Sequence, residues 1–217
     1  INRLWDTGRR AYPDSIHADG SVSDSVSQHT SFLALLYDII PEAHAAAALD
    51  NVLTPPEDMV RVGSPFAIMY YYEALEKAGE LDVIIDSIYE AYLPMIEAGA
   101  TTVWEVFPTS GARPGGFPTR SHVHAWSSAP VYFLNRIALG VRPTAPGGAA
   151  FEISPRLQDL TWAEGTVATA RGPLHVAWRA DMKTLRVEVT APQGVRVRFS
   201  GNDTHEGRQV IFEVNPA

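Results

Sequence analysis

Apolar residues recur at helical spacing through the first part of the chain, up to residue 139. Serine, proline and glycine mark the ends of these stretches: Ser64-Pro65 is typical of a helix start, and Gly79 and Gly99 are typical of helix ends. Five helices are predicted, one that ends at Pro41 and four over residues 42–52, 66–78, 81–98 and about 128–139. Helices paired through short turns are typical of a bundle or a toroid.

After the Pro- and Gly-rich segment 143–148, apolar residues recur at every second position instead of at helical spacing. Apolar and polar residues then alternate in stretches separated by turn residues, at 160–164, 174–178, 185–189, 195–199 and 210–214. This pattern predicts an antiparallel β-sandwich. We therefore predict a helical domain over residues 1–146 and a β-sandwich domain over residues 147–217. Residues 1–24, rich in Asp, Gly and Ser, predict an irregular segment or a β-ribbon.

Composition and charge narrow the class of partner. Of the 217 residues, 46% are hydrophobic and 19% are charged, and no apolar run approaches the ~20 residues that cross a bilayer. The net charge of -8, without a Lys/Arg cluster, argues against nucleic acid as a partner. The lack of cysteine excludes disulfides and thiolate metal sites, but it leaves the compartment open between cytoplasmic and secreted. We expect a soluble protein that binds a neutral or weakly charged ligand and no membrane.

Two clusters of residues carry the candidate chemistry. Glu105 lies between Trp104 and an apolar pair, so its carboxylate is expected to be partly removed from water and suited to general acid/base work. The second cluster consists of Arg120, His122, His124 and Trp126. Indole faces pack on pyranose rings, while Arg and His side chains hydrogen-bond hydroxyl groups. These residue types favour sugar chemistry, although an ordinary core strand that ends in Glu explains the first cluster equally well.

Other interpretations of these side chains stay open from the residues alone. His124 can be a histidine at a helix start whose ring bonds only backbone groups. The His-x-His spacing of His122 and His124 invites a metal site, but neighbouring residues of an extended segment point to opposite sides, and no third ligand is evident nearby. We therefore predict no metal and no cofactor. Trp104 and Trp126 are also compatible with core packing.

Several motifs together resemble the carboxyl-terminal part of bacterial α-L-rhamnosidases. They are Gly99-Ala100-Thr101-Thr102-Val103-Trp104-Glu105, Ser121-His122-Val123-His124-Ala125-Trp126-Ser127, Leu139-Gly140-Val141-Arg142-Pro143, Ile153-Ser154-Pro155 and Leu160-Thr161-Trp162-Ala163-Glu164-Gly165. The first motif is the most specific, and the resemblance runs through most of the chain. It implies part of an (α/α)6-barrel catalytic domain followed by a β-sandwich, and hydrolysis of terminal α-L-rhamnosides with inversion.

The resemblance also implies roles by position. Glu105 corresponds to the general base that activates the attacking water, and His124 corresponds to a histidine that bonds the sugar. Inversion requires a second carboxyl group, the general acid, roughly 6.5 to 9.5 Å away. In the family this acid is an Asp ahead of the region present here, and the predicted helices are too few to close the barrel. We therefore predict a fragment, inactive alone, whose partners are a rhamnoside substrate and the missing amino-terminal part of the same protein.

Two alternatives of other classes remain. One is a non-catalytic carbohydrate-binding module, which the apparent lack of a general acid favours. The other is a different toroidal sugar enzyme, an unsaturated uronyl hydrolase or a polysaccharide lyase. A lyase needs a Tyr or His base together with Arg or Lys to neutralise a uronate, and the region offers only Arg113 and Arg120. Rhamnoside hydrolysis is the favoured function.

Overall fold

The computed structural model describes residues 2–108 and 121–217. The chain divides into two compact units, Ile1–Ala129 and Pro130–Ala217. Of the helices in the described residues, none combines the length and the apolar character needed to cross a bilayer. The predicted domain boundary between residues 146 and 147 stays a prediction.

The described residues contain five α-helices, as the apolar spacing predicts. They are α1 (Gln28–Leu36), α2 (Glu42–Leu53), α3 (Ile68–Ala78), α4 (Leu81–Glu97) and α5 (Ala129–Arg136). In the first unit α1 packs against both α2 and α3, and α3 packs against α4. Large buried side chains fill the space around these helices, among them Phe32, Val52, Tyr72, Leu75 and Ile84. Their burial is the main stabilising contribution of the helical unit.

The ends of α3 follow from local chemistry. The Ser64 hydroxyl accepts a hydrogen bond from the Phe66 N–H at 3.4 Å, and a 3-10 turn, Pro65–Ala67, leads into the helix. At the other end Gly79 adopts the left-handed conformation that stops a helix. Both ends agree with the signals in the sequence.

The amino-terminal segment forms an irregular ribbon ahead of α1. Isolated antiparallel bridges join Asp6 to Ala11, Pro13 to Val26 and Ile16 to Val22. The hydroxyl groups of Ser25 and Ser27 donate to the Asp14 carboxylate at 2.8 and 2.7 Å. The ribbon is therefore held by side-chain bonds as well as by these few backbone bridges.

The second unit, Pro130–Ala217, which we call the β unit, contains seven strands in two sheets among its described residues. They are β1 (Val141–Pro143), β2 (Ala150–Ile153), β3 (Trp162–Thr169), β4 (Gly172–Ala180), β5 (Thr184–Ala191), β6 (Arg196–Phe199) and β7 (Gln209–Pro216). The strand orders are β1-β2-β6 and β3-β4-β5-β7. Buried side chains from both sheets form one core, including Phe151, Ile153, Leu174, Trp178 and Val187. This arrangement is sandwich-like, as predicted.

The sheets differ from the prediction in two respects. Strands β1 and β2 lie in or beside the Pro- and Gly-rich segment 143–148, where the sequence predicts no strand, because three or four residues hold too little alternation to reveal one. The sheets are also not wholly antiparallel, since β2 pairs with β6 and β5 pairs with β7 in parallel. Alternation along one strand indicates which side chains face the core, but it carries no information on the direction of the neighbouring strand.

Candidate active site

Two segments that are distant in the sequence lie side by side in the first unit. The Glu105 N–H donates to the Ser121 carbonyl at 2.9 Å, and the His124 N–H donates to the Val103 carbonyl at 3.0 Å. The Thr102 hydroxyl donates to the His122 carbonyl. Residues 102–105 and 121–124 therefore form one paired unit, and the two clusters found in the sequence belong to a single site.

Ser64 holds the backbone of Glu105 to the start of α3. Its hydroxyl donates to the Glu105 carbonyl at 3.2 Å while it accepts from the Phe66 N–H. The Glu105 side chain is half-buried, as expected for a carboxylate among apolar neighbours. One serine thus links a helix start to the candidate catalytic residue.

Trp104 and His122 cover each other. Their rings stack with centroids 4.6 Å apart and an interplanar angle of 16°. Trp104 is buried, whereas His122 is exposed. One face of the indole is therefore already occupied by an imidazole, and the role of these two residues as sugar contacts stays a prediction.

His124 and Trp126 stand at the start of a 3-10 turn, Ala125–Ser127. The His124 carbonyl accepts from the Ser127 N–H at 3.0 Å, and the His124 side chain makes no capping bond. Its half-buried ring lies 6.1 Å from the Trp126 ring at 78°. Trp126 is 66% exposed and packs against Phe66, with ring centroids 4.6 Å apart. Trp126 is therefore not core filling in this unit.

A buried phenol anchors the same turn. The Tyr92 hydroxyl donates to the Ser127 carbonyl at 3.0 Å, and its ring meets Phe107 edge-on, with centroids 5.4 Å apart. Burial raises the pKa of Tyr92 well above its usual value, so the phenol remains protonated and keeps this bond. The sequence interpretation missed Tyr92 and Phe66, because an aromatic residue at helical spacing carries no mark of what it contacts.

Some of the predicted site lies beyond what can be described. Arg120, one of the predicted sugar contacts, falls outside the described residues. Within residues 2–108 and 121–217, no group of three or more His, Cys, Asp or Glu side chains is placed to hold a metal ion. The candidate site is therefore built from Glu105, His124 and their apolar and hydroxyl neighbours.

Comparison with protein families gives two matches in tandem. The model of the bacterial alpha-L-rhamnosidase 6 hairpin glycosidase domain matches residues 10–138. The model of the bacterial alpha-L-rhamnosidase C-terminal domain matches residues 140–211. The chain is 29% identical over 185 residues to an alpha-L-rhamnosidase of Alteromonas sp. (strain LOR), covering 80% of this chain and 20% of that protein. It is 25% identical over 201 residues to an alpha-L-rhamnosidase of Formosa agariphila, covering 87% of this chain and 22% of that protein.

Solved structures agree with these matches. The crystal structure of a GH78 family rhamnosidase of Bacillus sp. GL1 superposes with a TM-score of 0.86 at 38% identity, covering 99% of this chain and 22% of that one. A native α-L-rhamnosidase from Aspergillus terreus shows the same fold, with a TM-score of 0.64 at 20% identity over 80% of this chain and 21% of that one.

The predicted fold class, part of a helical barrel followed by a β-sandwich, is confirmed by the tandem family matches and by the Bacillus structure. The chain spans 20% and 22% of the length of the two curated relatives. The matched segments include the Glu105 and His124 region as well as nearly all of the β unit. The chain therefore belongs to the bacterial α-L-rhamnosidase family.

Proposed function

We propose that this chain forms the carboxyl-terminal part of an inverting α-L-rhamnosidase, in which Glu105 is the general base. The observation that carries the proposal is the pairing of residues 102–105 with 121–124, which brings a half-buried carboxylate and a half-buried histidine into one site. Membership of the rhamnosidase family supports the choice of substrate.

In the proposed reaction the Glu105 carboxylate takes a proton from a water molecule while the water oxygen attacks C1 of rhamnose. The bond between C1 and the leaving oxygen breaks, and a general acid donates a proton to that oxygen. Attack from the face opposite the leaving group converts an α-rhamnoside into β-rhamnose. His124 bonds a rhamnose hydroxyl and holds C1 in reach of the water.

The general acid is proposed to lie outside these residues, in an earlier part of the catalytic domain. An inverting pair is separated by roughly 6.5 to 9.5 Å, which leaves room for the water. Activity is then a property of the full-length protein. The chain of 217 residues alone is expected to hydrolyse no rhamnoside.

The test compares Glu105→Gln with the parent in the full-length protein. With 4-nitrophenyl α-L-rhamnoside, kcat is expected to fall by about 10³-fold, because an amide cannot accept the proton from water. Glu97→Gln is the matched control, since Glu97 is exposed near the end of α4, and it is expected to leave kcat unchanged.

The configuration of the first product tests inversion separately. Proton NMR during turnover is expected to show β-L-rhamnose before mutarotation. Retained α-configuration, or an active Glu105→Gln enzyme, contradicts the proposal. A parent protein that binds L-rhamnose but hydrolyses no rhamnoside supports the carbohydrate-binding module instead.

A further inference from the structure

A buried tyrosine of α4 contacts both segments of the candidate site. The Tyr92 hydroxyl donates to the Ser127 carbonyl at 3.0 Å, and Ser127 lies three residues after His124. The Tyr92 ring meets the Phe107 ring edge-on, with centroids 5.4 Å apart, and Phe107 lies two residues after Glu105. One side chain therefore touches the segment that carries the candidate base and the turn that follows the candidate sugar contact.

These contacts lie in the protein interior. Tyr92 is 7% exposed, Phe107 is 6% exposed and Ser127 is fully buried. Further residues of a domain can only cover more of its surface, so side chains that are buried in this chain stay buried in a longer protein of the same fold. The contacts of Tyr92 therefore do not depend on what the rest of the catalytic domain covers.

The turn Ala125–Ser127 determines where His124 lies. The His124 carbonyl accepts from the Ser127 N–H at 3.0 Å, and the His124 ring lies 6.1 Å from the ring of Trp126. On the other side, the His124 N–H donates to the Val103 carbonyl at 3.0 Å. His124 is therefore held through its N–H by Val103 and through its carbonyl by the turn, so a shift of the turn displaces the imidazole.

Tyr92 holds this turn from a neighbouring helix. The buried Ser127 hydroxyl has no hydrogen-bond partner among the described residues, so the Ser127 side chain does not fix the turn. The Ser127 carbonyl, in contrast, accepts from the phenol. A buried carbonyl without a donor is unfavourable, so loss of the phenol hydroxyl favours movement of the turn. Burial keeps the pKa of Tyr92 above its usual value, so the phenol stays a donor through neutral and alkaline pH.

Glu105 has anchors of its own. Its N–H donates to the Ser121 carbonyl at 2.9 Å, and its carbonyl accepts from the Ser64 hydroxyl at 3.2 Å. Removing the Tyr92 hydroxyl alone breaks neither of these bonds, and it leaves the ring contact with Phe107 in place. The hydroxyl is therefore expected to affect the sugar contact and not the base.

We propose that Tyr92 is a positioning residue for His124, whose hydroxyl fixes the turn that brings the histidine within reach of a rhamnose hydroxyl. This inference rests on the proposed function, because that function assigns His124 to the sugar. It divides two tasks between two hydroxyl groups: Ser64 holds the backbone of the base, and Tyr92 holds the turn next to the sugar contact. Tyr92 acts through His124 and transfers no proton in the reaction.

The test uses the full-length protein with Tyr92→Phe. KM for 4-nitrophenyl α-L-rhamnoside and the dissociation constant of L-rhamnose are both expected to rise roughly 3- to 10-fold, the range that the loss of one buried hydrogen bond produces. The change in kcat is expected to stay below about twofold, because a contact that is equal in the ground state and the transition state affects KM alone. The pH profile of kcat is expected to keep its shape.

A double-mutant cycle with His124→Ala tests whether Tyr92 acts through the histidine. The dissociation constant of L-rhamnose is measured by titration calorimetry for the parent, each single variant and the double variant. In the His124→Ala background, Tyr92→Phe is expected to change this constant by less than about twofold, because the two residues act as one unit. Full additivity of the two effects overturns the inference.

Tyr72→Phe is the matched control. Tyr72 is fully buried in the same helical unit, and its hydroxyl shares a hydrogen bond with the Ser87 hydroxyl at 3.0 Å. The same deletion there is expected to lower the melting temperature but to leave KM and the dissociation constant unchanged. Both constants are properties of the folded molecules, so a smaller folded fraction of Tyr92→Phe does not imitate the expected result.

The outcomes separate the inference from the proposed function. Unchanged constants in Tyr92→Phe, or an equal rise in Tyr72→Phe, overturn the inference. Loss of one limb of the pH profile in Tyr92→Phe also overturns it, because the phenol then transfers a proton. Binding of L-rhamnose requires no hydrolysis, so a parent that binds the sugar but cleaves no rhamnoside contradicts the proposed function while calorimetry still tests Tyr92. A parent that neither binds nor cleaves contradicts both.

Discussion

At the scale of single residues, burial divides side chains that the sequence presents as equivalent. Trp104 and Trp126 each lie near a histidine of the second cluster. Trp104 is buried under His122, whereas Trp126 is exposed beside Phe66. The sequence presents both as candidate sugar contacts, and the structure shows that only Trp126 of the two is exposed in this chain.

Gly140 is a backbone position whose importance depends on a tertiary contact. Its φ is +79°, and a Cβ added there would lie 2.2 Å from the Pro155 nitrogen. Gly140→Ala is therefore expected to lower the free energy of unfolding of the β unit by about 3 kcal/mol, from left-handed strain plus overpacking. Urea unfolding of the parent and of the variant measures this change in the free energy of unfolding.

The control for Gly140 is Gly207→Ala. Gly207 has a φ of +77°, but no atom lies within 4 Å of an added Cβ. The Gly207→Ala substitution is expected to lower the free energy of unfolding by only about 1 kcal/mol, from the backbone strain alone. Equal costs at the two positions contradict the role of the Pro155 contact.

His205 gives the β unit a dependence on pH. The ring is buried, its Nε2–H donates to the Pro155 carbonyl at 2.6 Å, and its Nδ1 accepts from the Asn202 N–H at 3.2 Å. Burial lowers the pKa of His205 from its usual value of 6.5, so the folded ring stays neutral while the unfolded ring takes up a proton. Its contribution to stability is therefore complete above pH 6.5 and declines as the pH falls below that value.

His205→Gln tests this dependence because glutamine does not titrate. The difference in the free energy of unfolding between parent and variant is expected to shrink from pH 8 to pH 5, about the range over which histidine titrates. A difference that grows on acidification means that the pKa of His205 is raised by folding instead.

At the scale of elements, the candidate site lies where three segments of the chain meet, which we call the junction. Residues 102–105, residues 121–124 and the start of α3 meet through backbone bonds and through the Ser64 hydroxyl. Each segment alone is short and irregular. Their mutual hydrogen bonds fix the backbone position of Glu105, the candidate catalytic residue.

Ser64→Ala tests the junction. Loss of the helix cap is expected to lower the free energy of unfolding by about 1 kcal/mol. In the full-length enzyme kcat is expected to fall several-fold with KM unchanged, since Glu105 loses an anchor while the sugar contacts remain. Ser64→Thr keeps the hydroxyl and is expected to restore kcat; a threonine variant as impaired as the alanine variant rules out a role for the hydroxyl bond.

At the scale of the whole molecule, the β unit has its own core. The Trp178 Nε1–H donates to the Ala138 carbonyl at 2.9 Å, and Leu139 and Val141 are buried in the same core as the strands. Residues 138–141 precede the boundary that the change of period predicts at residue 146. The core of the β unit therefore includes residues that precede the predicted boundary.

Two truncations test where the β unit begins. A chain of residues 130–217 is expected to unfold cooperatively as an independent domain. A chain of residues 147–217 lacks β1, the core side chains of Leu139 and Val141 and the carbonyl that accepts from Trp178, and is expected to be less stable by at least about 4 kcal/mol. Circular dichroism during heating compares them, and equal stability favours the boundary at residue 146.

Local signals determined the elements of this protein. Apolar spacing and the residues at helix ends were enough to predict five helices, and alternation was enough to predict the longer strands. The motif ending in Glu105, the segment around His124 and the motifs between Leu139 and Gly165 were together enough to place the chain in its family. All of these are properties of neighbouring residues, so the sequence alone carries them.

Tertiary structure decided what those elements do together. It paired residues 102–105 with 121–124, brought Ser64 to the Glu105 backbone, covered Trp104 and left Trp126 exposed. It also placed β6 beside β2 and β7 beside β5 in parallel. Contacts between distant residues depend on how every element packs at once, and no local pattern of apolar and polar positions records that outcome.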